Sequence, residues 1–297
     1  MRVFVTGATG FIGSAIVPEL LDAGHQVTGL ARSDEAAEAL VAAGAEVHRG
    51  TLADLDSLRA GAAAADGVIH TAFIHDFSAY ADSIEAERHA VEALGTALAG
   101  SHRPLIVTSG TGILPPGRLG VERDAPDSGP TGAPRRVSEA TALPFAERGV
   151  RVSILRLPPT VHGAGDRGFV PALIGIARDK GVAAYPGDGA NRWPAVYRED
   201  AARLYRLALE SAPAGAVLHA VGEEGVPVRE IAGVIGRHLG LPVTSVPREE
   251  AGAHFGWLAG FFSADVPASS AWTRAEFGWD PVGATLIEGL DAGHYFK

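Results

Sequence analysis

The chain has 297 residues, a formal net charge of −10, and 46% hydrophobic and 20% charged residues. These values are typical of a soluble globular protein, and they argue against disorder and against electrostatic attraction to nucleic acid. The sequence contains no cysteine, which excludes disulfides, thiolate metal sites and cysteine nucleophiles, and no metal site is predicted. Because no segment has the pattern of a signal peptide or the ~20 apolar residues of a membrane span, we expect a cytoplasmic protein without membrane partners.

The N-terminal segment has the order strand, glycine turn, helix. Val3–Val5 is an apolar run typical of a strand buried on both faces, and the pattern Gly7-x-x-Gly10-x-x-Gly13 follows it. Apolar residues then recur at helical spacing from Ile12 to Leu21. Glycines let the backbone N–H groups of such a turn approach a pyrophosphate, and the helix N-terminus adds partial positive charge. The segment therefore predicts a dinucleotide-binding site that includes Thr9 within the turn.

The type of dinucleotide is indicated by the residues after the second predicted strand, His25–Leu30. In this kind of site an acidic residue binds a free ribose 2′-hydroxyl, whereas an arginine accommodates a 2′-phosphate. Arg32 and Ser33 occupy this stretch, and the first acidic residue is Asp34. We therefore predict NADP(H) in preference to NAD(H), the alternative being a solvated arginine at the start of a helix.

Further predicted elements alternate between strands and helices along the chain. The predicted strands are Ala45–His48, Val68–Ala72, Leu105–Ser109, Val152–Leu155 and Val217–Val221, and the predicted helices are Asp34–Ala43, Ser83–Gly100, Arg135–Arg148, Phe169–Lys180, Glu199–Glu210 and Val228–Leu239. Pro144 should kink or restart the helix in which it lies, because proline has no N–H to donate. The alternation predicts the α/β class, as a doubly wound Rossmann fold with a mainly parallel sheet and a smaller C-terminal substrate lobe.

The same pattern suggests how the chain is divided. Residues 1–160 and about 190–221 are assigned to an NADP-binding Rossmann domain, and residues 161–189 and 222–297 to the smaller lobe. The aromatic side chains near the lobe suggest an apolar or aromatic ligand, with core packing as the alternative; they are Trp193, Trp257, Phe261 and Phe262.

Taken together, these segments resemble the extended branch of the short-chain dehydrogenase/reductase superfamily, the NAD(P)-dependent epimerases and dehydratases. The resemblance is carried by the stretches Thr6–Gly13, Val68–Ala72, Thr108–Thr111 and Arg156–Gly163, and by Asp200 before a helix. It implies a cofactor site formed by Gly7, Gly10, Phe11, Ile12 and Gly13 at the pyrophosphate, Thr51 and Leu52 beside adenine, and Thr71, Ala72, Pro158, Thr160 and Val161 beside the ribose and nicotinamide. It also implies substrate binding at Arg192, next to Trp193, and favours a homodimer through the helices around residues 84–98 and 135–148.

The acid–base pair of that family, Tyr-x-x-x-Lys, is missing. The sequence has two lysines, Lys180 and Lys297, and neither has a tyrosine four residues before it. Alignment on Ser138 puts Arg135 at the tyrosine position and Glu139 at the lysine position. Arginine does not donate a proton at neutral pH, so Arg135 is expected either to polarise a carbonyl or simply to pair with Glu139 along the helix.

Two functions from different classes follow. The first is an NADP(H)-dependent oxidoreductase or epimerase-like enzyme that acts on a small carbonyl, imine or enone substrate through a non-standard proton donor. The candidate catalytic residues are Thr111, which follows the family's serine position at Gly110, Arg135, His75, Tyr80, His162 and Tyr197, each with a surface or packing role as the alternative. The second is a non-catalytic NADP(H)-binding redox-sensing regulator. Sugar epimerisation is less favoured because it relies on the missing tyrosine.

Overall fold

The computed structural model describes residues 1–74, 80–127 and 133–297, with side chains at 82–127 and 136–297 in the last two ranges. The helices in these ranges are α1 (Gly13–Asp22), α2 (Asp34–Ala42), α3 (Leu55–Ala64), α4 (Tyr80–Leu98), α5 (Ala133–Ala142), α6 (Phe169–Lys180), α7 (Arg198–Ser211), α8 (Val228–Leu239), α9 (Ala251–Phe255), α10 (Ala259–Phe262), α11 (Ala271–Phe277) and α12 (Leu286–Asp291). The strands are β1 (Arg2–Thr6), β2 (Gln26–Ala31), β3 (Glu46–Arg49), β4 (Gly67–His70), β5 (Pro104–Gly110), β6 (Arg151–Leu157), β7 (Thr160–His162), β8 (Ala183–Pro186), β9 (Arg192–Tyr197), β10 (Ala216–His219), β11 (Glu223–Pro227) and β12 (Val243–Val246).

Seven of the described strands form one parallel sheet in the order β3-β2-β1-β4-β5-β6-β10. The chain adds β2 and β3 on one side of β1, and then β4, β5, β6 and β10 on the other side. The order in which strands are added therefore reverses between β1 and β4. In open α/β sheets this switch point, at the carboxyl ends of the strands, is where ligands bind. The predicted doubly wound α/β fold is confirmed.

Both faces of the sheet are covered by helices, which explains the uninterrupted apolar run in β1. Val3 and Val5 belong to the hydrophobic cluster that includes Leu20 of α1 and Leu204 of α7. Phe4 points to the opposite face and joins a second cluster, which includes residues of α3, α4 and α5. Because successive side chains of a strand alternate between faces, a strand buried on both sides needs apolar residues throughout.

A third hydrophobic cluster lies outside the seven-stranded sheet. It is built from residues of α6, α8 and α12 and from strands of two small sheets, β9 and β11 of the sheet β7-β9-β11 and both strands of the sheet β8-β12. Trp193 and Phe262 are among its buried members, with ring centroids 5.2 Å apart. The domain boundaries predicted near residues 160, 190 and 221 stay a prediction.

The effect expected of Pro144 is confirmed. Helix α5 ends at Ala142, and a separate 3-10 turn over Leu143–Ala146 begins there with the proline in its first positions. A helix start tolerates proline because the missing N–H has no partner there in any case. None of the helices within the described ranges combines the length and apolar composition that a bilayer crossing needs.

Candidate cofactor and active site

The glycine turn joins β1 to α1 at the switch point of the sheet. Gly7 has a φ of +70°, and a Cβ added to it would lie 2.7 Å from the backbone nitrogen of Ala72. A Cβ on Gly13 would overlap the carbonyl oxygen of Gly7. Both glycines are therefore required by the turn itself, one for its left-handed backbone and one for its close approach.

Gly10 differs from its two neighbours in the motif because the surface above it is open. It is exposed, and a Cβ there would meet the Gly7 carbonyl at 3.1 Å and no other atom of the described residues within 4 Å. Helix α1 begins three residues later, and the N-cap residue before it, Ile12, provides no side-chain cap. The N–H groups of Ser14 and Ala15 donate to backbone carbonyls, whereas those of Phe11, Ile12 and Gly13 have no hydrogen-bond partner among the described residues. Free N–H groups beside an open glycine surface fit a pyrophosphate, which accepts hydrogen bonds and carries negative charge.

Arg32 and Ser33 follow β2 at the same edge of the sheet, and both are exposed. Ser33 caps α2, since its Oγ accepts a hydrogen bond of 3.2 Å from the Ala36 nitrogen. The neighbouring Asp34 is paired with Arg49, at the end of β3, at 2.7 Å. The Arg32 guanidinium makes no hydrogen bond or ion pair with any described residue. At this edge of the sheet, the Arg32 guanidinium thus has no counter-ion among the described residues, whereas the nearby Asp34 carboxylate is paired with Arg49.

Thr71 and Ala72 follow β4 and lie directly against the glycine turn. The Thr71 hydroxyl donates to the Thr6 carbonyl at 2.8 Å, and the Ala72 nitrogen donates weakly to the Thr6 hydroxyl at 3.4 Å. The remaining residues predicted at the cofactor are spread over the carboxyl edge. Thr9 and Thr51 are exposed, Leu52 is half-buried, and Val161 and Ile12 pack on the same hydrophobic cluster.

Two threonines at this edge have buried hydroxyls without a hydrogen-bond partner among the described residues. Thr111 lies in a 3-10 turn directly after β5 and has no exposed surface, and Thr160 begins β7, two residues after Pro158, and is 2% exposed. Buried hydroxyls usually find a partner, because an unpaired polar group loses its hydration without compensation. The two threonines are therefore candidates for contact with a bound ligand.

Helix α5 carries the positions that the resemblance is expected to align with the family's tyrosine and lysine. Glu139, at the lysine position, forms a buried ion pair with Arg156 of β6, from Nε to Oε1 and from Nη2 to Oε2, both at 2.8 Å. Glu139 thus has a cation from the sheet as its partner, and the predicted pairing with Arg135 stays a prediction, because the Arg135 side chain lies outside the described residues. His219 of β10 extends the network, with Nε2 3.3 Å from Arg156 Nη1 and Nδ1 2.8 Å from the Ser269 carbonyl. Burial lowers the pKa of His219 to about 4, so it is neutral at neutral pH.

A second buried network runs from β1 to α5 beneath the glycine turn. Thr6 Oγ1 lies 2.7 Å from His70 Nδ1, and His70 Nε2 lies 3.1 Å from Glu87 Oε2. The Ser138 hydroxyl donates to Glu87 Oε1 at 2.9 Å. All four side chains are at most 2% exposed. The network fixes the distance between the strand that begins the glycine turn and the helix that carries Ser138 and Glu139.

Sequence reasoning missed this network, although one signal for it was present. Glu87 precedes Val91, Leu94 and Leu98 at helical spacing, so it lies on the apolar face of α4. An acid at such a position is buried, and a buried carboxylate needs partners. Nothing local to Glu87 identifies His70 and Ser138 as those partners.

His162 and Tyr197, two of the candidate proton donors, contact each other. Their ring centroids are 5.6 Å apart, at the ends of the paired strands β7 and β9. His162 is fully buried, and neither ring nitrogen has a hydrogen-bond partner among the described residues. Burial, with a contribution from the charge of His294, lowers the pKa of His162 to about 4. The ring is therefore a neutral imidazole at neutral pH, not the imidazolium that a histidine acid requires.

Next to Tyr197, Arg198 connects this region to the glycine turn. Its guanidinium carbon lies 5.1 Å from the centroid of the Phe11 ring, a cation–π contact, and its Nη1 donates to the Ala164 carbonyl at 3.2 Å. The residues that follow β7 therefore lie beside the start of α1.

The two predicted substrate residues lie at the start of β9 and have different environments. Arg192 is 43% exposed at its side chain and is paired with Asp265. Trp193 has no exposed surface, and its Nε1 donates to the Phe261 carbonyl at 3.0 Å. Trp193 is therefore a core residue, which corrects its assignment to substrate contact: its ring fills the third hydrophobic cluster.

His75 and the side chains of Tyr80 and Arg135 lie outside the described residues. Within the described part of the chain, no group of three or more histidine, aspartate or glutamate side chains is suited to hold a metal ion.

Comparison with known proteins adds a family to this geometry. Residues 3–221 match the sequence model of the NAD dependent epimerase/dehydratase family. An uncharacterized protein of Schizosaccharomyces pombe is 55% identical over 297 residues, which are 100% of both chains. A 2-alkyl-3-oxoalkanoate reductase of Stenotrophomonas maltophilia is 29% identical over 261 residues, which cover 82% of this chain and 77% of the reductase.

Solved structures extend the likeness to the whole fold. The dTDP-glucose 4,6-dehydratase of Streptomyces venezuelae, with NAD and TYD bound, has a TM-score of 0.79 at 21% identity, covering 99% of this chain and 96% of the dehydratase. At that identity the agreement establishes a shared architecture.

Proposed function

Since the chain belongs to the NAD dependent epimerase/dehydratase family, we propose that it is an NADP(H)-dependent oxidoreductase of the extended short-chain dehydrogenase/reductase superfamily. Its substrate in this proposal is a small carbonyl, imine or enone compound, and its proton donor is not the family's tyrosine. A cytoplasmic location and a homodimer through α4 and α5 stay predictions.

The observation that carries the proposal is the open surface at Gly10. Gly7 and Gly13 are explained by the turn's own geometry, but Gly10 has room for a Cβ except at the Gly7 carbonyl. A glycine is needed there if a ligand approaches the backbone. With the N–H groups that precede α1 and begin it, those of Phe11, Ile12 and Gly13, free of hydrogen bonds to described residues, that ligand is the pyrophosphate of a dinucleotide. When bound, a reduced nicotinamide cofactor supplies a hydride.

The preference for NADP(H) is supported by the charges after β2. Arg32 makes no ion pair with a described residue, while Asp34, two residues further on, is paired with Arg49. A 2′-phosphate adds negative charge at this edge, and a free guanidinium binds it through charge-assisted hydrogen bonds. The free ribose hydroxyls of NAD(H) offer no such partner to Arg32.

At the reacting end we propose roles for polar residues at the carboxyl edge. The buried, unpartnered hydroxyl of Thr111 would hydrogen-bond the substrate oxygen, and that of Thr160 the cofactor. Arg135, His75 and Tyr197 remain candidates to polarise the substrate or deliver the proton. His162 would act there as a neutral imidazole and not as a proton-donating imidazolium, because its pKa is lowered to about 4.

The second candidate function, a non-catalytic NADP(H)-binding regulator, is favoured by a specific observation. Glu139, at the family's lysine position, is engaged by Arg156 and is 3% exposed. A carboxylate held in this way neither lowers the pKa of a neighbouring tyrosine nor binds a ribose. Both functions require dinucleotide binding, so binding alone does not separate them.

Hydride transfer separates them. The purified chain would be incubated with [4-²H]NADPH and a panel of ketones, imines and enones, and deuterium in the products measured by mass spectrometry. We expect transfer to at least one substrate, at a rate that falls when Thr111 is replaced by Val. NADPH binding without transfer to any member of the panel would overturn the enzyme in favour of the regulator. Absence of dinucleotide binding would overturn both.

A further inference from the structure

Arg192 and Asp265 form a bidentate ion pair. Arg192 Nε donates to Asp265 Oδ1 at 3.0 Å, and Nη2 donates to Oδ2 at 2.9 Å. The backbone nitrogen of Arg192 donates to Oδ1 as well, at 2.8 Å. Parallel bonds of this kind are the strong form of a carboxylate–guanidinium contact, so the pair acts as one unit of zero net charge.

The pair lies where the segment after β5 meets the segment after α10. The Asp265 carbonyl accepts a hydrogen bond of 2.7 Å from the Gly117 nitrogen, and the Gly120 nitrogen donates to the Pro267 carbonyl at 2.9 Å. Residues after β5 follow the carboxyl edge of the sheet, where Thr111 lies. The ion pair therefore borders the same side of the sheet as the proposed reacting end.

The charge of the pair is stable around neutral pH. The hydrogen bonds from Arg192 hold the pKa of Asp265 below its usual range, and they raise that of Arg192. Arg248 is the other cation that acts on Asp265, and its Nη1 donates to the Ser263 carbonyl at 3.1 Å. A phosphate group approaching Arg192 therefore finds the Nε and Nη2 donors of the guanidinium already bonded to an ionised carboxylate.

An aromatic cluster is carried by the same parts of the chain. The Phe169 ring lies 5.5 Å from the Phe261 ring and 5.9 Å from the Trp257 ring. Trp257 is 53% exposed, and the Phe261 carbonyl accepts the hydrogen bond from Trp193, the residue after Arg192. A large exposed indole in contact with other rings offers a flat apolar surface to a ligand.

From the ion pair and the aromatic cluster we infer that this chain takes an uncharged, apolar carbonyl compound and excludes nucleotide-diphosphate substrates. This inference rests on the proposed oxidoreductase function and narrows its substrate class. The diphosphate would have to break the bonds between Arg192 and Asp265 or lie beside an ionised carboxylate, and both are unfavourable. An uncharged ligand does not have to break the ion pair and is not repelled by the Asp265 carboxylate. It also gains apolar contact area on the Trp257 ring.

Binding of UDP-glucose, measured by calorimetry in saturating NADPH, tests the exclusion. Saturation with NADPH keeps the probe out of the dinucleotide site. We expect no binding by the unmodified chain, a gain of about tenfold or more in affinity for Asp265→Asn, and loss of that gain when Arg192→Gln is added. NADPH affinity in each variant reports whether it has folded. UDP-glucose binding by the unmodified chain, or no gain in a folded Asp265→Asn variant, would overturn the exclusion without affecting the proposed cofactor.

The apolar part is tested with a panel of neutral aryl and alkyl ketones under the same conditions. At least one should bind, and Trp257→Ala should weaken it about tenfold while NADPH affinity stays the same. Trp272→Ala is the matched control, because Trp272 is also exposed, at 42%, but lies on α11. Failure of every ketone to bind, or equal effects of the two tryptophan variants, would overturn the assignment.

Discussion

Glu139 on α5 and Arg156 on β6 are joined by two hydrogen bonds of 2.8 Å and are 3% and 2% exposed. Charges removed from water at this depth are tolerable only while they remain together. Arg156 also donates to the Asp124 carbonyl at 3.1 Å, so the pair holds a loop as well as a helix.

Replacing Glu139 by Ala should therefore destabilise the chain severely. It leaves a buried guanidinium without its counter-ion, a change that typically costs about 3–5 kcal/mol. The double variant Glu139→Leu, Arg156→Met removes both charges and should recover much of the loss. Urea unfolding measures both, with Asp66→Asn as a control, since Asp66 is paired with Arg2 in solvent. A single variant no less stable than this control would contradict the prediction.

The open surface at Gly10 leads to a prediction about binding without loss of folding. Gly10→Ala should keep the thermal midpoint nearly unchanged and weaken NADPH at least about tenfold, because the new methyl group occupies the approach to the turn. Gly175→Ala on α6 is a suitable control, as a Cβ there meets no described atom within 4 Å. Gly13→Ala should instead unfold or distort the turn. Calorimetric titration of each variant provides the comparison; equal NADPH affinity for Gly10→Ala and Gly175→Ala is the contrary result.

The charge at Arg32 predicts a selective effect on one cofactor. Arg32→Ala should lower NADPH affinity about 10- to 100-fold, as expected for the loss of a charge-assisted phosphate contact, and leave NADH affinity unchanged. The NADPH affinity of the unmodified chain should also fall as salt rises, because the contact is exposed. Arg59→Ala on α3 controls for the change in net charge. Parallel loss of both cofactors in Arg32→Ala would show that the arginine does not read the 2′-phosphate.

His162 predicts a loss of stability in mild acid. Its pKa is lowered from 6.5 to about 4 in the folded chain, so between these values the unfolded chain binds more protons than the folded one. Stability should therefore fall as pH drops from 6.5 towards 4, by roughly 3 kcal/mol from this residue. Urea unfolding at pH 7 and pH 4.5 measures the loss.

His162→Phe removes the titrating ring and should reduce that loss. The control is His102→Asn, since His102 is exposed and has a φ of 55° that asparagine tolerates. An unchanged pH dependence in His162→Phe would mean that other buried groups, such as His219, account for the acid sensitivity.

Sequence reasoning located best those elements whose ends carry a local signal. Helices α6 and α8 were predicted with the bounds that the structure has, Phe169–Lys180 and Val228–Leu239. Each is followed by a glycine in the left-handed conformation, Gly181 and Gly240, which ends the helix and is visible in the sequence.

The short strands of the smaller sheets were harder to predict from the sequence. Thr160–His162 and Arg192–Tyr197 were not among the predicted strands, and they are β7 and β9, paired with each other. A strand of three residues has no periodicity of its own, and its partner lies far along the chain, since Thr160 is paired with Ala195. The pairing therefore depends on the fold rather than on the local sequence.

The residues of the candidate site also fall into two groups: those that the local sequence identifies and those that it does not. The glycine turn and Arg32 are contiguous with the strands that precede them, so their relation to a dinucleotide is visible in sequence order. The partners of Glu139 and Glu87 are not, because Arg156, His70 and Ser138 belong to other elements. A carboxylate in a helix does not reveal which distant side chain neutralises it.

The hydrogen-bonded network of Thr6, His70, Glu87 and Ser138 restricts which substitutions this sequence can accept. Replacing His70 alone by an apolar residue removes a bond from both Thr6 and Glu87 in the interior, where lost bonds are not replaced by water. The four positions are therefore expected to vary together: a relative with an apolar residue at position 70 should also lack the carboxylate at position 87. A double-mutant cycle on positions 70 and 87 should show strong coupling. The expected covariation would extend from Thr6, at the end of β1 before the glycine turn, to Ser138 on α5.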